Sequence, residues 1–573
     1  MENRMTPKAP KDPTAKRSSV YILADAVVDG APRGNGKFQD IIYLNGRIEK
    51  KIEVLCKDVP EEIRKGIPLC EGFRKMVHSI GVMITAKNEK SREHVAQFAL
   101  NCLPKNPSLP ATVYSTDVLC NGEEAKISVA ETANTENDDI LGSFVTTFPE
   151  QETAVMTVRF YLNDGYTAPE MIPDPPVDFQ SDAYKRMIAR SLVQEGDLER
   201  CVQAARRAAE GKEVTVAYLG GSITQGAAAK PINTECYAYL SYLDFKKRFG
   251  SKDGSNVHFI KAGAGGTCSE LGLTRYEKDV LRYGKVVPDI VFVEYAVNDG
   301  GDETDGECFE NLVRMIAEGP GKPAVILLFS VFMNDSNLQE RMIPVGQYYH
   351  LPMISIKNAV TPQFYDKTPV ITKRQYFYDV FHPSNDGHRI MADCIDYLWK
   401  RVAEKTGDAT LSDADVWSGQ PYRSKRFSNL HCFDRSNAES KKELLELSEG
   451  SFSEQDTQLQ YVERDDVAKA VPEFPDNWSR NNGTGNTPFS MRLICKDLLL
   501  VYKDSGNPQF GVAEIFVDGK KTREINPLEV GWDHCTAYIV YESDSAAEHT
   551  VTISMKEGDE EKSFTVLGFG YTV

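Results

Sequence analysis

A serine that directly follows a buried strand and two glycines is the first feature of this sequence that could do chemistry. The run Val214–Leu219 is apolar and rich in valine, Gly220 and Gly221 come next, and Ser222 follows. Small residues suit a sharp turn at which a substrate approaches the backbone closely. A serine hydroxyl in that place needs a base within hydrogen-bond reach before it can act as a nucleophile. On its own, the motif also fits a helix N-cap.

A histidine with a carboxylate three residues before it could supply that base. Asp379 and His382 stand in the segment Asp-Val-Phe-His, with Pro383 directly after it. His382 would take the serine proton, and Asp379 could reach back to orient the imidazole and stabilise its cation. His382 alone also fits a histidine packed in a loop or a core. Together with Ser222, the pair predicts the triad of a serine hydrolase.

Four blocks in chain order resemble the GDSL/SGNH hydrolase family, which is named for its serine, glycine, asparagine and histidine. The blocks lie between about Val214 and Lys405 and read Gly220-Gly221-Ser222, Gly265-Gly266, Val297-Asn298-Asp299 and Asp379-Val380-Phe381-His382. Gly221 replaces the aspartate of the family motif, and Ala296 replaces its third-block glycine. Both departures lie beside the functional residues and not on them.

The resemblance implies ester hydrolysis through an acyl-enzyme. Ser222 matches the family nucleophile, and Asp379 and His382 match the rest of the triad. The resemblance also implies an oxyanion hole, formed by the backbone N–H groups of Ser222 and Gly266 and by the side-chain amide of Asn298.

Other polar residues near these blocks have a simpler interpretation. Asp299 is expected to be a helix cap or a structural partner, and His388 is expected to be structural on the last helix of this region. Gly263-Ala264-Gly265-Gly266 could begin a dinucleotide-binding loop, but the third glycine of that motif would fall at Cys268. No histidine, cysteine or carboxylate group shows metal-ligand spacing. We therefore predict neither a cofactor nor a metal.

Alternating strands and helices from Val214 onward would bring the predicted residues together. Predicted strands are Val214–Leu219, Val257–Ala262, Asp289–Tyr295, Ala324–Val331 and Met353–Ile356. Predicted helices are Thr234–Phe249, Ser269–Tyr283, Glu307–Ala317 and Asp386–Glu404, after a helical region from about Ala183 to Ala209. Apolar strands separated by helices indicate a parallel sheet whose carboxyl ends share one edge. We predict an α/β fold, an SGNH-hydrolase-like, flavodoxin-type three-layer parallel sheet, with its site at that edge.

Segments rich in β signals flank this α/β region. Residues 18 to about 165 contain runs such as Ser19–Ala24, Val82–Ala86 and Ala154–Leu162, and one helix is expected around Glu93–Leu103. A linker follows, marked by Pro169, Pro173, Pro175 and Pro176. Further strand-like runs after about residue 430 are Asp497–Tyr502, Ala513–Val517, Thr536–Tyr541 and Thr550–Met555.

These patterns predict three domains. Asp518-Gly519 between two of the late runs predicts a hairpin, because both turn positions need a positive φ. We predict a β-sandwich domain with its linker at 1–176, the catalytic α/β domain at 177–410, and a second β-sandwich at 411–573. Both sandwiches are expected to be jelly-roll-like, similar to the modules that accompany carbohydrate esterases.

Charge and composition exclude two classes of partner. The chain has 573 residues, a net charge of -18, 41% hydrophobic and 26% charged residues. The negative charge argues against binding to nucleic acid or to anionic membranes, since no basic surface is available to displace counterions. No apolar run approaches the ~20 residues of a membrane span. Twelve scattered cysteines and the absence of an apolar signal segment in Met1–Arg17 predict reduced thiols and a cytoplasmic location.

The resemblance implies a serine esterase, and the flanking β modules suggest by analogy that it removes O-acetyl groups from carbohydrate, with plant-glycan-derived oligosaccharides as its substrates. Trp478 and Trp532 are candidates for stacking on a sugar, although core packing is the commoner fate of tryptophan. The sequence does not predict an oligomeric state. Two alternatives stay open: a lipid or aryl esterase of the same family, and a catalytically inactive glycan-binding protein.

Overall fold

The structure of the protein is a computed structural model, and it describes residues 17–32, 36–56, 58–106, 108–171, 174–408, 417–467 and 469–573. The chain divides into two compact units. Unit 1 comprises Met1–Tyr184, Ala228–Cys236 and Gln363–Arg389, and unit 2 comprises Lys185–Ala227, Tyr237–Pro362 and Ile390–Val573. Pro173 and the predicted boundary at 410/411 lie outside the described residues, so the three domain ranges stay predictions. Within the described ranges, no helix is both long enough and apolar enough to cross a membrane.

Two antiparallel sheets share a hydrophobic core in the amino-terminal part of unit 1, with strand orders β1-β9-β4-β7 and β2-β3-β8-β5-β6. The strands are β1 Ser19–Asp29, β2 Ala31–Pro32, β3 Phe38–Tyr43, β4 Val77–Ala86, β5 Val95–Pro104, β6 Val113–Leu119, β7 Asn121–Ser128, β8 Asp138–Phe148 and β9 Thr153–Leu162. The helices are α1 Ile48–Leu55, α2 Glu61–Gly66 and α3 Cys70–Met76, with a 3-10 turn at Glu89–Glu93. The β-rich interpretation is confirmed.

The helix predicted around Glu93–Leu103 is wrong, because this segment is strand β5. Its side chains alternate between solvent and core, and Ala96, Phe98 and Leu100 are buried. A period of two is the signature of a half-buried strand, and it outweighs the helix propensity of alanine and leucine here.

The central part of the chain contains a six-stranded sheet in unit 2, with the order β10-β15-β14-β13-β11-β12. The strands are β10 Leu192–Gln194, β11 Val214–Gly220, β12 Val257–Gly263, β13 Ile290–Glu294, β14 Ala324–Phe329 and β15 Met353–Ser355. The helices are α4 Asp182–Ala189, α5 Glu199–Ala209, α6 Ser222–Gln225, α7 Tyr237–Phe249, α8 Ser269–Asp279, α9 Glu307–Glu318, α10 Gln339–Tyr348, α11 Ile356–Val360, α12 Lys373–Tyr376 and α13 Asn385–Lys405, with 3-10 turns at Asp299–Gly301 and Thr361–Tyr365.

The five predicted strands of this sheet are confirmed as parallel neighbours. The region expected to be helical from 183 to 209 also contains β10, which pairs antiparallel with β15 at the edge of the sheet. The three-layer flavodoxin-type arrangement stays a prediction. Parallel pairing places the carboxyl ends of β11, β12 and β13 side by side, and this edge is where the predicted serine, glycine and asparagine follow their strands.

The carboxyl-terminal part of unit 2 forms an eight-stranded sheet with the central order β16-β25-β21-β24-β22-β23. Its strands and the small β18–β19 pair are β16 His431–Phe433, β17 Leu445–Ser448, β18 Tyr461–Val462, β19 Val471–Pro472, β20 Trp478–Arg480, β21 Phe489–Asp504, β22 Ala513–Val517, β23 Lys520–Ile525, β24 His534–Met555 and β25 Phe564–Thr572, with a 3-10 turn at Ala438–Lys441. The hairpin predicted at Asp518-Gly519 is confirmed, because both residues have positive φ between the paired strands β22 and β23. The jelly-roll-like topology stays a prediction.

Strand β21 explains how this sheet meets the α/β core within unit 2. Leu498 and Leu500 point into the core of the carboxyl-terminal sheet, whereas Leu499 and Val501 join the core of the α/β sheet. A strand buried on both faces is apolar at every position, which accounts for the continuous run Leu-Leu-Leu-Val. The same packing brings the start of the neighbouring strand β24 to the loop that follows β12.

Candidate active site

Ser222 is the first residue of α6 and follows the end of β11. Gly221 is the N-cap of this short helix. A Cβ atom built on Gly221 would lie only 2.2 Å from Asn298 Oδ1, so a side chain there would displace the asparagine. Glycine at position 221 therefore leaves room for the Asn298 amide.

The loop after β12 passes directly beside the serine. Ala264 N–H donates to Gly220 O at 3.0 Å, which joins this loop to the end of β11. A Cβ atom on Gly265 would lie 3.7 Å from Ser222 Cβ. Gly266 follows with a φ of +72°, a left-handed conformation that favours glycine. The predicted oxyanion donor at Gly266 is thus on the loop that contacts the serine.

Asn298 lies on the third loop of this edge, after β13. Its backbone N–H donates to Tyr295 O at 2.9 Å, and Cys268 Sγ donates to Asn298 O at 3.1 Å. Asn298 Oδ1 is buried and has no hydrogen-bond partner among the described residues. Asp299 Oδ1 accepts the Ser269 N–H at 2.8 Å at the start of α8, which confirms its structural role. Burial raises the pKa of Asp299 to about 7.

The sequence analysis did not predict the buried polar groups that lie near the turn before Ser222. Glu294 ends β13, and its Oε2 accepts a hydrogen bond from Thr224 Oγ1 at 3.1 Å. Burial raises the pKa of Glu294 to about 8. Arg275 donates to Gly220 O at 2.8 Å and to Asp279 Oδ2 at 2.9 Å. The one sequence signal was Glu294 itself, a carboxyl group at the end of an otherwise apolar strand.

Unit 1 contains the predicted acid and base. His382 Nδ1 lies 3.0 Å from both carboxylate oxygens of Asp379. The backbone N–H groups of Phe381 and His382 donate to Asp379 Oδ1 at 2.8 and 2.9 Å. Burial acts to raise the pKa of Asp379, but His382, the Phe381 N–H and Arg47 outweigh it and leave that pKa well below its ordinary value. The carboxylate is therefore ionised and lies within hydrogen-bond distance of the imidazole, while the catalytic role of the pair stays a prediction.

Two cations from the region around α1 also contact this turn in unit 1, and neither was predicted. Arg47 Nη1 lies 3.4 Å from Asp379 Oδ2, and its guanidinium lies 5.7 Å from the centre of the Phe381 ring. Lys51 Nζ donates to Tyr378 O at 3.2 Å. Burial lowers the pKa of Lys51 to about 8, against the opposing effect of Asp379. Residues that are 327 and 332 positions apart in the sequence leave no local signal for such contacts.

The structure therefore assembles the predicted residues in two groups. Ser222, Gly266 and Asn298 lie on adjacent loops of unit 2, and Asp379 and His382 form a hydrogen-bonded pair in unit 1. His388 is fully buried on α13, as expected for a structural histidine.

The two candidate sugar-stacking tryptophans have different environments. Trp478 is 1% exposed in the core of the carboxyl-terminal sheet, and its Nε1 donates to Glu449 Oε1 at 3.1 Å. This burial contradicts a sugar contact, because neither face of the indole is accessible. Trp532 is 45% exposed, and its ring lies against Gly266. Trp532 remains the candidate for a substrate contact.

The cysteines and one cluster of histidine and glutamate side chains are the residues to consider as metal ligands. All twelve cysteines lie in the described ranges as free thiols, and Cys268 alone among them is not fully buried. A search of the described residues for clustered ligand atoms finds His94, Glu150 and Glu152 in unit 1, within 4.8 Å of one another. His94 lies far from Glu150 and Glu152 in the sequence, so the group shows no ligand spacing.

The family comparison agrees with the motif analysis. Residues 218–390 match the model described as the GDSL-like Lipase/Acylhydrolase family. That range contains the five predicted triad and oxyanion-hole residues, Ser222, Gly266, Asn298, Asp379 and His382, and neither candidate tryptophan. A search of the curated proteins finds no match.

Two solved structures are similar over most of their own length. One is a two-domain esterase (CEX) active on acetylated mannans, co-crystallised with mannopentaose; it is 25% identical, with a TM-score of 0.56, and the match covers 67% of this chain and 98% of that chain. A second structure of a two-domain esterase (CEX) active on acetylated mannans is 27% identical, with a TM-score of 0.56, covering 67% and 99%. The loops that present the serine, glycine and asparagine, and the aspartate–histidine turn, thus fall in the segment, residues 218–390, that matches the model of the GDSL-like Lipase/Acylhydrolase family.

Proposed function

We propose that the protein is a serine carboxylic ester hydrolase that removes O-acetyl groups from carbohydrate, in particular from plant-glycan-derived oligosaccharides. The observation that carries this proposal is the hydrogen bond of His382 Nδ1 to the ionised Asp379, in the same family-matched segment as Ser222. That bond leaves Nε2 as the nitrogen available for proton transfer. The flavodoxin-type arrangement and the jelly-roll-like flanking domains belong to the same proposal.

The proposed reaction has two steps. His382 Nε2 takes the proton of Ser222 Oγ as that oxygen attacks the acetyl carbonyl, and Asp379 stabilises the resulting imidazolium. The negative charge on the carbonyl oxygen is stabilised by the N–H groups of Ser222 and Gly266 and by the Asn298 amide. The C–O bond to the sugar breaks, and the imidazolium returns its proton to the leaving alkoxide. Water then attacks the acetyl-enzyme with His382 again as base, and acetate and free Ser222 are released.

The substrate class rests on similarity and on the surroundings of the oxyanion loop. The two solved structures of a two-domain esterase (CEX) active on acetylated mannans match 67% of this chain. Trp532, half exposed against Gly266, offers an apolar ring face of the kind that packs on sugars. Free thiols suit a reducing compartment, so we propose that the enzyme acts on imported oligosaccharides in the cytoplasm.

An acyl-release screen tests the activity and the substrate class together. Acetate release is measured from acetylated mannan, xylan and sialate oligosaccharides, beside p-nitrophenyl acetate and p-nitrophenyl butyrate, with Ser222→Ala as the blank. We expect release from acetylated oligosaccharides, mannan first, and faster hydrolysis of the acetyl than of the butyryl ester. Rates that increase with acyl length would favour a lipid or aryl esterase. Binding of oligosaccharide without any release would favour an inactive glycan-binding protein.

A further inference from the structure

The direction of the Gly266 N–H depends on a neighbouring carbonyl. The peptide bond between Gly265 and Gly266 is planar and trans, so its C=O and its N–H point in opposite directions. Any group that binds Gly265 O therefore sets the direction of the Gly266 N–H, which is the predicted oxyanion donor. Two successive glycines with no Cβ are also the backbone most able to rotate away from one orientation.

Gln460 binds that carbonyl from the carboxyl-terminal part of unit 2. Its Nε2 donates to Gly265 O at 2.7 Å, and its Oε1 accepts the Cys535 N–H at 2.9 Å. The two partners are backbone groups of opposite polarity, so they define the orientation of the amide. The side chain is 5% exposed. Rotation of the Gly265–Gly266 peptide would leave the buried Gln460 amide without its acceptor, which is unfavourable.

His534 binds the next carbonyl of the same loop. Its Nε2 lies 3.0 Å from Gly266 O, and because a carbonyl only accepts, this nitrogen carries the proton. Its Nδ1 lies 3.1 Å from Thr536 Oγ1 and 3.4 Å from Asp504 Oδ2. The imidazole is buried, and the Trp532 ring covers it at a centroid distance of 4.7 Å. Two consecutive peptides of the oxyanion loop are thus bound by side chains, one from Gln460, directly before β18, and one from His534, the first residue of β24.

We propose that Gln460 is a positioning residue of the oxyanion hole, which aims the Gly266 N–H through Gly265 O, and that His534 holds the following peptide. The inference rests on the proposed function, since it needs the Gly266 N–H to stabilise an oxyanion. It assigns to the carboxyl-terminal part of unit 2 a role in the chemical step, in addition to any contact with substrate.

The test compares an oxygen ester with its sulfur analogue. Gln460→Glu and Gln460→Met keep the size of the side chain but cannot donate to Gly265 O; exposed Gln458→Glu is the matched control. Rates are measured with p-nitrophenyl acetate and p-nitrophenyl thionoacetate, whose sulfur is a weak hydrogen-bond acceptor. We expect kcat for the oxygen ester to decrease about 10- to 100-fold in the Gln460 variants. KM should change little, and the oxygen-to-sulfur rate ratio should decrease.

His534 provides an independent pair of variants. Glutamine at this position can still donate to Gly266 O and leucine cannot, so His534→Gln should keep a larger share of kcat than His534→Leu. Near-UV circular dichroism and thermal unfolding establish that each variant is folded. This pair supplies the same oxygen-to-sulfur comparison if a Gln460 variant is unstable.

The outcomes separate the two proposals. Wild-type protein that hydrolyses neither ester and takes no fluorophosphonate label overturns the proposed function itself. An active wild type whose folded Gln460 and His534 variants keep kcat within about twofold overturns the positioning role alone. Equal losses on the oxygen and sulfur esters also overturn it, because a general structural defect would slow both reactions alike.

Discussion

The amino-terminal part of unit 1 and the carboxyl-terminal part of unit 2 each contact one loop that contains predicted site residues, but through different interactions. In unit 1 two cations contact the Asp379–His382 turn, the partly exposed Arg47 and the buried Lys51. In unit 2 the Gly265–Gly266 loop is bound by the neutral amide of Gln460 and by the N–H of His534. The contacts in unit 1 place positive charge beside the Asp379 carboxylate. The contacts in unit 2 fix the direction of the Gly265–Gly266 peptide.

This difference corresponds to what each loop must do in the proposed reaction. The aspartate–histidine turn exchanges protons, so nearby charges change its energetics directly. An oxyanion loop transfers no proton, and its contribution depends on where its donors point. Variants in unit 1 should therefore change pH dependence, and variants in unit 2 should change rate or substrate preference at every pH.

Asp379→Asn is expected to have the largest effect among the variants of these two regions. An amide cannot stabilise the imidazolium or hold the required tautomer, so kcat should decrease about 10³- to 10⁴-fold while the protein stays folded. Steady-state kinetics with p-nitrophenyl acetate measures the loss, with exposed Asp366→Asn as the control. A loss smaller than about tenfold would mean that Asp379 does not orient the base.

Substitutions of the two tryptophans distinguish a substrate contact from core packing in the carboxyl-terminal part of unit 2. Trp532→Ala should lower kcat/KM on acetylated oligosaccharide about 3- to 10-fold more than on p-nitrophenyl acetate, because only the sugar would pack on the ring. Trp478→Ala should leave this preference unchanged but destabilise the protein by about 3–5 kcal/mol, since it empties a core position. Kinetics on both substrates and unfolding curves distinguish these effects. Equal losses on both substrates for Trp532→Ala would remove it from the substrate site.

Lys51 gives unit 1 a specific dependence of stability on pH. Burial lowers the pKa of Lys51 to about 8, whereas an unfolded lysine titrates near ~10.4. Between these values the unfolded state binds more protons, so wild-type stability should increase with pH. Lys51→Met lacks this contribution, and its unfolding free energy relative to wild type should decrease by about 1–3 kcal/mol from pH 8 to 10.5. If the unfolding free energies of the two proteins changed with pH in parallel, folding would not lower the pKa of Lys51.

Chelation is expected to have the smallest effect. No metal takes part in the proposed reaction, so dialysis against EDTA should leave kcat/KM unchanged. Assay before and after treatment, followed by addition of Zn²⁺, Ca²⁺ or Mn²⁺, checks this. If activity is lost and then restored by a divalent ion, His94→Ala and Glu152→Gln would test the one ligand cluster found in the described residues.

The sequence predicted those features that short segments encode. The parallel strands follow from apolar runs between helices, and the Asp518-Gly519 hairpin follows from its two residues. The Asp379–His382 contact spans three positions, so its spacing could be interpreted directly. Strand β5 was missed because propensity was weighed above its alternation of buried and exposed side chains.

Contacts between distant segments could not be predicted in this way. Gln460 and His534 lie 195 and 268 positions from their glycine partners, and Arg47 lies 332 positions from Asp379. Glutamine, histidine and arginine are common on protein surfaces, so the sequence alone does not distinguish these three residues from others of their type. Their contacts arise only from tertiary packing. The same holds for Trp478, which the sequence could not separate from Trp532.

The identity of the nucleophile is the central claim, and mapping a fluorophosphonate adduct tests it most directly. The protein is labelled, digested and analysed by mass spectrometry, with Ser222→Ala treated in parallel. The account predicts one phosphonyl adduct, on Ser222, with loss of fluoride, together with loss of both label and esterase activity in Ser222→Ala. An adduct on another residue, or a Ser222→Ala variant with activity within about tenfold of wild type, would contradict it.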